Sequence, residues 1–376
     1  MHNCEYLLRR FSEEFFLIPY GQENGDRKPA IKLNKSGALL WEALLQGKTY
    51  EELLRSWPAQ DIESFLTRFN ELGILENEPS FNELSLNEPS RYFRIGPLSL
   101  SYSGPTEFIH PFMDAFSCAE IPVGQHIQVI RRSPLKRHNG QLLIRTGELL
   151  ICMDSLDYIL LFQPPSRIEE VRIRKDGSLA VFFVSAAYDD DLRDELFHAM
   201  RFSYLVFAQR QGLFVLHCAA VQYLDKAWLF AGSSGTGKST HTALWRKLFD
   251  TPILNGDLIL IGLNEEQITV YGLPWCGTSG IYTTKSCPLG GIIFLQQGKE
   301  NSELPLSAAQ SRLKLYNRLI SPAWTKEQLA LCLDFSDALA GQAALLSFAC
   351  TKDAAAAITM KNIIDQRYIT PGADIS

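Results

Sequence analysis

Of the eight cysteines, at positions 4, 118, 152, 218, 276, 287, 332 and 350, no two stand in C-x-x-C spacing. A zinc ribbon or a redox dithiol is therefore not encoded. Several cysteines fall inside apolar runs, such as Cys152 in Leu149–Met153, and read as buried reduced thiols. The chain also lacks an excess of positive charge. Its formal net charge is −6, which argues against general nucleic-acid binding, because that requires a basic field. No stretch approaches the roughly 18 uninterrupted apolar residues of a membrane span. Met1–Arg10 carries Glu5, Arg9 and Arg10 and has no long apolar centre, so it does not read as a signal peptide. These absences predict a cytoplasmic protein without nucleic-acid or membrane partners.

There is enough apolar material for more than one core. The 376 residues are 46% hydrophobic and 21% charged, and that length predicts two or three domains. Residues 1–76 read as a first unit. Phe15–Pro19 and Ala30–Leu33 are strands separated by the loop Gly21–Pro29. A helix follows, with Leu39, Leu40, Ala43 and Leu44 on one stripe and Asn34 or Ser36 as its cap. Thr49-Tyr-Glu-Glu opens a second helix as a capping box. A third carries Ile62, Phe65, Leu66, Phe69 and Leu72 and stops at Gly73. Two strands and three short helices in this order predict a winged-helix-like module.

Residues 77–90 are polar, contain Asn-Glu-Pro-Ser twice, and read as a linker. Residues 91–186 are strand-rich, with candidates at Leu98–Tyr102, Ile127–Ile130, Leu142–Ile144, Glu148–Met153, Tyr158–Phe162, Val171–Arg174 and Leu179–Val184. Asn139-Gly140 and Asp176-Gly177 are hairpin turns, and the basic run Arg131–His138 reads as a solvated hairpin. Asp189-Asp-Asp191 opens a helix that runs to about Gln211.

Residues 187–376 carry the chemistry. The apolar strand Ala227–Ala231 runs into Gly232-Ser233-Ser234-Gly235-Thr236-Gly237-Lys238-Ser239-Thr240, and a helical pattern follows. This is the G-x-x-x-x-G-K-S pattern of a P-loop in its strand–loop–helix setting. The glycines let the backbone turn its N–H groups onto one anion, and the helix adds its positive end. Lys238 supplies a compact charge for the β- and γ-phosphates. The Ser239 hydroxyl is placed for Mg2+. A bound nucleotide such as ATP, with Mg2+, is the expected ligand. In Thr251–Ile261 an apolar strand is interrupted by Asn255-Gly256-Asp257. A carboxylate there calls for a partner, which a metal ion or a reacting hydroxyl supplies, although an Asn-Gly-Asp turn between two strands is the plain alternative. His217, in the apolar strand Phe214–Val221, reads on its own as a core residue. Beside the P-loop strand it reaches the phosphates or holds a catalytic carboxylate. Leu289–Gln296 reads as a buried strand, and Ser307–Ile320 and Asp353–Asp365 as helices. The fold class expected is α/β, α+β overall.

Residues 205–350 resemble the C-terminal kinase domain of the HPr serine kinase/phosphorylase family, of the HPr kinase/PEP carboxykinase-like type. The resemblance extends to relatives that phosphorylate ribosomally made peptides, such as the lasso-peptide kinases. In that family a strand histidine precedes the P-loop by fifteen residues, as His217 precedes Gly232. A later strand ends in two acids that serve Mg2+ and the acceptor serine. Asp257 matches the second, and Gly256 stands in place of the first. Gly272-Leu-Pro-Trp275-Cys-Gly277 is similar to the peptide-kinase relatives. Residues 11–76 resemble the PqqD-like peptide-recognition family, through Leu33-Asn-Lys-Ser-Gly37-Ala-Leu-Leu-Trp41, Gly47-Lys-Thr-Tyr-Glu-Glu-Leu-Leu54 and Phe65-Leu66 to Leu72-Gly73-Ile74-Leu75. That family adds a leader peptide to a small sheet as an extra strand. Here the resemblance implies the edge Ala30–Leu33, with Phe65 and Phe69 lining the groove.

Together these resemblances imply an ATP-dependent kinase acting on a Ser or Thr hydroxyl of a precursor peptide. Lys238, Asp257 and His217 are its expected catalytic residues, and Ser239 and Asp257 its expected metal-binding pair. A nucleotide-switched peptide-binding chaperone and a kinase of a small-molecule hydroxyl are the alternatives. A homo-oligomer stays open. No Leu-Ser-Gly-Gly-Gln signature is present, which argues against a transporter ATPase.

Overall fold

The computed structural model describes residues 6–19, 30–45, 53–71, 88–131, 140–184, 189–264 and 267–369. These form two compact units, the first within residues 1–86 and the second over 87–134 and 140–376.

In the first unit, β1 (Tyr6–Phe11), β2 (Glu14–Pro19) and β3 (Ile31–Leu33) make an antiparallel sheet in that order. The sequence predicts β2 and β3 and misses β1, in which Leu7 and Phe11 are exposed and leave no clean alternation. Helix Lys35–Leu45 follows. Asn34 is its cap: the side-chain oxygen accepts the Gly37 N–H at 2.7 Å. Helix Ala59–Glu71 buries Ile62 and Phe69, and Trp41 packs against Phe69 with ring centroids 5.8 Å apart. The loop Gly21–Pro29, most of the Thr49–Leu54 helix, most of the Arg131–His138 run and Asn139 lie outside the described residues.

The second unit holds two sheets. One runs β6-β4-β5-β7-β12-β11-β10-β9-β8. Its strands are β4 (Arg91–Ile95), β5 (Leu98–Ser103), β6 (Ser117–Cys118), β7 (Gln125–Ile130), β8 (Gln141–Arg145), β9 (Leu149–Met153), β10 (Asp157–Phe162), β11 (Ile168–Arg174) and β12 (Leu179–Val184). The seven strands expected in this region are all present, and β4 and β6 are additional. Helix Asp190–Arg210 begins where the Asp189 side chain accepts the Leu192 N–H. Its residues Leu192, Leu196, Ala199 and Leu205 share one apolar core with Val171 and Ile173 of this sheet and with Val215 and Leu260 of the next. Burial of such side chains, at roughly 25 cal/mol per Å², joins the two sheets into one body.

The other sheet contains β13 (Leu213–Tyr223), β14 (Lys226–Ala231), β15 (Ile253–Asn255), β16 (Leu258–Leu263), β17 (Ile268–Tyr271), β18 (Ser286–Gln297), β19 (Ser302–Leu304) and β20 (Leu345–Cys350). β13 pairs with three strands, with β15 at Ala220 and Val221. Leu213–His217 pair with β16, and Cys218–Tyr223 pair with β14. β14 is also parallel to β18, which is parallel to β20. Helices Lys238–Phe249, Ala308–Tyr316, Lys326–Gln342 and Ala354–Ile364 accompany this sheet. The helix expected over Ser307–Ile320 ends at Tyr316, and Lys326–Gln342 and β20 are elements the sequence reading left unassigned. The architecture is α+β. The seven described cysteines are free thiols, six of them buried. Among the described residues, no helix is long and apolar enough to cross a membrane.

Candidate functional site

The buried strand β14 delivers the chain to Gly232, and helix Lys238–Phe249 begins six residues later. Gly235 and Gly237 have φ of 78° and 97°, a region that side-chain-bearing residues rarely adopt. The loop is braced from within. Thr236 Oγ1 donates to the Ser233 carbonyl at 2.8 Å, and Gln297 Nε2 donates to the Gly235 carbonyl at 2.8 Å. Lys238 is 9% exposed, and its ammonium donates to the Gly232 carbonyl at 3.1 Å and the Ser233 carbonyl at 3.4 Å. Burial lowers its pKa, and the Asp257 charge opposes that shift.

Across the cavity, His217 is the last residue of β13 that pairs with β16, opposite Leu258. His217 Nε2 lies 3.1 Å from Asp257 Oδ1, with side-chain exposures of 34% and 32%. The hydrogen bond from His217 holds the Asp257 carboxyl below its ordinary range, helped by the charges of His217, Arg201 and Lys238 and opposed by burial. A cavity of about 470 Å³ is lined by His217, Lys238, Ser239, Thr240 and Asp257, together with Gly256 and the segment Cys276–Ser279. The structure thus brings His217, Asp257, Lys238 and Ser239, expected from distant parts of the sequence, into one cavity. The interruption in Thr251–Ile261 does two things. It is a turn between β15 and β16, and it also presents Asp257 to the cavity.

The turn depends on Asn255, which the sequence marks only as a turn residue. Its side chain is fully buried. The oxygen accepts the N–H groups of Asp257 (2.8 Å) and Leu258 (3.0 Å), and the nitrogen donates to the Leu273 carbonyl at 2.9 Å. Asn255→Ala leaves three buried polar groups unpaired. It is expected to cost about 2–4 kcal/mol of unfolding free energy, measured by urea denaturation, and to lower activity by releasing Asp257.

Gly256 has an equally local cause. A Cβ built there would lie 2.0 Å from Ser279 Oγ and 2.7 Å from Ser279 Cβ. Ser279 is itself fixed, donating to the Cys276 carbonyl at 2.7 Å. The Cys276–Ser279 turn therefore leaves no room for a side chain at position 256. Gly256→Asp is expected to destabilise the protein by about 1–3 kcal/mol through overpacking, with partial recovery in Gly256→Asp/Ser279→Gly. Equal denaturation midpoints for the two variants would contradict this reading.

Three further residues act on the site without lining its cavity. Arg201 lies close enough to Asp257 to help hold its carboxyl low. Trp275 anchors the segment before Cys276 by donating to the Phe197 carbonyl at 2.8 Å. The Arg318 guanidinium donates to the Gly232 carbonyl at 2.9 Å, while its own carbonyl accepts the His217 N–H at 2.8 Å. Among the described residues, no group of three or more His, Cys, Asp or Glu is arranged to hold a metal ion.

In the first unit, β3 pairs only with β2 among the described residues. Beside it lies a cavity of about 490 Å³ lined by Ile31, Lys32, Leu33, Phe65, Arg68 and Phe69, among others. The two phenylalanines differ in role. Phe69 is 2% exposed and fills the core, whereas Phe65 is half-buried and stacks on it with ring centroids 4.0 Å apart.

No family model matches this chain, and no curated protein matches it. Among solved structures, the Hpr(Ser) kinase/phosphatase from Coxiella burnetii aligns with 25% of this chain and 70% of its own, at 14% identity and a TM-score of 0.20. A likeness of that size carries no argument about activity.

Proposed function

We propose that the protein is an ATP-dependent kinase that phosphorylates a Ser or Thr hydroxyl of a ribosomally made precursor peptide. The supporting observation is the single cavity that joins Lys238 and Ser239, at the start of a helix, to the His217–Asp257 pair. In this reading residues 1–76 recognise the peptide as a winged-helix-like module, 77–90 link, 91–186 form a lobe, and 187–376 carry the phosphate-binding loop. The protein acts in the cytoplasm.

The residues present fit Mg2+. That ion keeps most of its ligands as water and substrate phosphates and needs only one or two from the protein. The Ser239 hydroxyl and Asp257 line the same cavity and would hold it, and Mg2+ when bound supplies neutralising charge to the phosphates. The chain's own groups do the rest. Backbone N–H groups of Gly232–Thr240 cradle the β- and γ-phosphates, and Lys238 offsets their charge. The acceptor oxygen attacks the γ-phosphorus, the bond to the bridging oxygen of ADP breaks, and the hydroxyl proton passes to Asp257. His217 bonds one carboxylate oxygen and so aims the other. Positioning and charge supply most of the acceleration in such a transfer.

The β3 edge and the Phe65 face would take the leader segment as an added strand, raising the local concentration of the acceptor. Phe65→Ala is expected to raise the KM for a leader-bearing peptide roughly tenfold, at about 1–2 kcal/mol for a lost aromatic contact, with kcat little changed. Kinetics with and without the leader check it, and a fall confined to kcat would contradict the docking role. A nucleotide-switched peptide-binding protein would leave the peptide's mass unchanged, and a small-molecule kinase would work without residues 1–76.

A further inference from the structure

A second cavity lies on the other flank of the phosphate-binding loop, and the two meet at Ser234 and Gly235. It measures about 680 Å³ and runs against Gly232–Thr236, the end of β18, and the end of helix Ala308–Tyr316. Two cations line it, Lys314 and Arg318, with the Asn317 and Gln297 amides beside them and no carboxylate among the lining residues. Lys314 stands in the last helical turn, donates to Ser347 Oγ at 3.0 Å and lies 5.6 Å from the Phe294 ring centre. Arg318 spends one guanidinium N–H on the Gly232 carbonyl at 2.9 Å, the same oxygen that Lys238 Nζ approaches at 3.1 Å. Two positive groups thus converge on one neutral acceptor from opposite flanks of the loop. Neither Lys314 nor Arg318 pairs with a carboxylate among the described residues. Burial pushes the Lys314 pKa down, which is the mark of an ammonium short of compensating charge.

We propose that this cavity binds a phosphate-bearing small molecule, held by Lys314 and Arg318. A guanidinium offers a planar fork of donors and an ammonium a point charge, which together suit a phosphate. The space of about 680 Å³ exceeds what a bare phosphate fills, so the ligand carries an organic part. Arg318 keeps further N–H groups for the ligand while it bonds the Gly232 carbonyl, and so couples this cavity to the loop that Lys238 closes. The inference rests on the proposed kinase reading only in assigning the other cavity to the nucleotide.

The test uses the full chain and inorganic phosphate as probe, titrated by calorimetry. Lys238→Ala weakens the nucleotide cavity, and phosphate binding is expected to persist in it. Adding Lys314→Met, which keeps an apolar stem over Phe294, or Arg318→Gln should weaken that binding at least about tenfold, the size of one charge-assisted hydrogen bond. Thermal melts confirm that each variant is folded. Lys314→Met alone should leave ATP affinity within about threefold of wild type, because no nucleotide contact is lost. Absence of phosphate binding in Lys238→Ala, or equal binding after Lys314→Met and Arg318→Gln, overturns the proposal. So does a tenfold loss of ATP affinity in Lys314→Met, which gives the cavity to the nucleotide. If wild type fails to bind ATP while the Lys314-dependent phosphate site persists, the kinase reading falls and this site stands.

Discussion

Lys238→Ala is expected to lower ATP affinity and turnover by roughly 10²–10³-fold or more while leaving the fold intact. The ammonium has two roles at one place. Without nucleotide it closes the loop onto the Gly232 and Ser233 carbonyls. With nucleotide it would face the β- and γ-phosphates, and charge-assisted bonds of that kind are each worth about 1.5–3 kcal/mol. Two such bonds account for the expected loss. Folding survives because the Gly232 carbonyl keeps its bond from Arg318 and the loop keeps its bond from Gln297. Isothermal titration with ATP–Mg2+, paired with a thermal melt, separates the two effects. Unchanged ATP affinity in a folded Lys238→Ala protein would contradict the role given to this loop.

Asp257→Asn is expected to lower kcat by about 10²–10⁴-fold, the usual worth of a general base, with a much smaller change in ATP affinity. The amide is nearly isosteric and can still meet His217, so geometry is retained while the charge and the proton acceptor are removed. The pH dependence follows from the same contacts. The His217 bond and nearby positive charges hold the Asp257 carboxyl below the ordinary range. A depressed folded pKa means that the group stabilises the fold above its unfolded value near 4. That contribution disappears as pH falls through the lower folded value. Between pH 5 and 8 Asp257 therefore stays ionised, and any rise of activity with pH in that window must come from another group. Single-turnover phosphate transfer measured across that range checks it. A bell whose acid limb vanishes in Asp257→Asn would contradict the assignment.

What could be read from the sequence was local. The nine contiguous residues Gly232–Thr240 carry their own turn geometry and helix start, so the strand–loop–helix arrangement was legible without a fold. His217 and Asp257 were legible as unusual residues in apolar strands, because a polar group in a strand core needs a partner. Their 3.1 Å contact depends on β13 pairing with β16, which sets His217 opposite Leu258 and so beside Asp257, and pairing between strands leaves no mark in either strand alone. Asn255 was legible only as a turn residue, since its acceptor partner Leu273 arrives from a later segment. Arg318 follows a helix end that read as longer than it is. It reaches Gly232 from 86 residues away, a distance over which sequence patterns say nothing. Gly256 was visible beside Asp257, but Ser279, which leaves no room for a side chain there, was not. In the first unit, Phe65 and Phe69 shared one helical stripe and looked equivalent. Packing against Trp41 sends one of them into the core and leaves the other at the groove.

The most direct test is intact-mass analysis of candidate precursor peptides incubated with ATP and Mg2+ and with wild type, Lys238→Ala or Asp257→Asn protein in parallel. A phosphate-sized gain on a Ser or Thr of the peptide with wild type, abolished in both variants, is the predicted result. A wild-type protein that binds ATP–Mg2+ yet leaves every candidate peptide at its original mass, or an Asp257→Asn variant that phosphorylates as fast as wild type, would contradict the account.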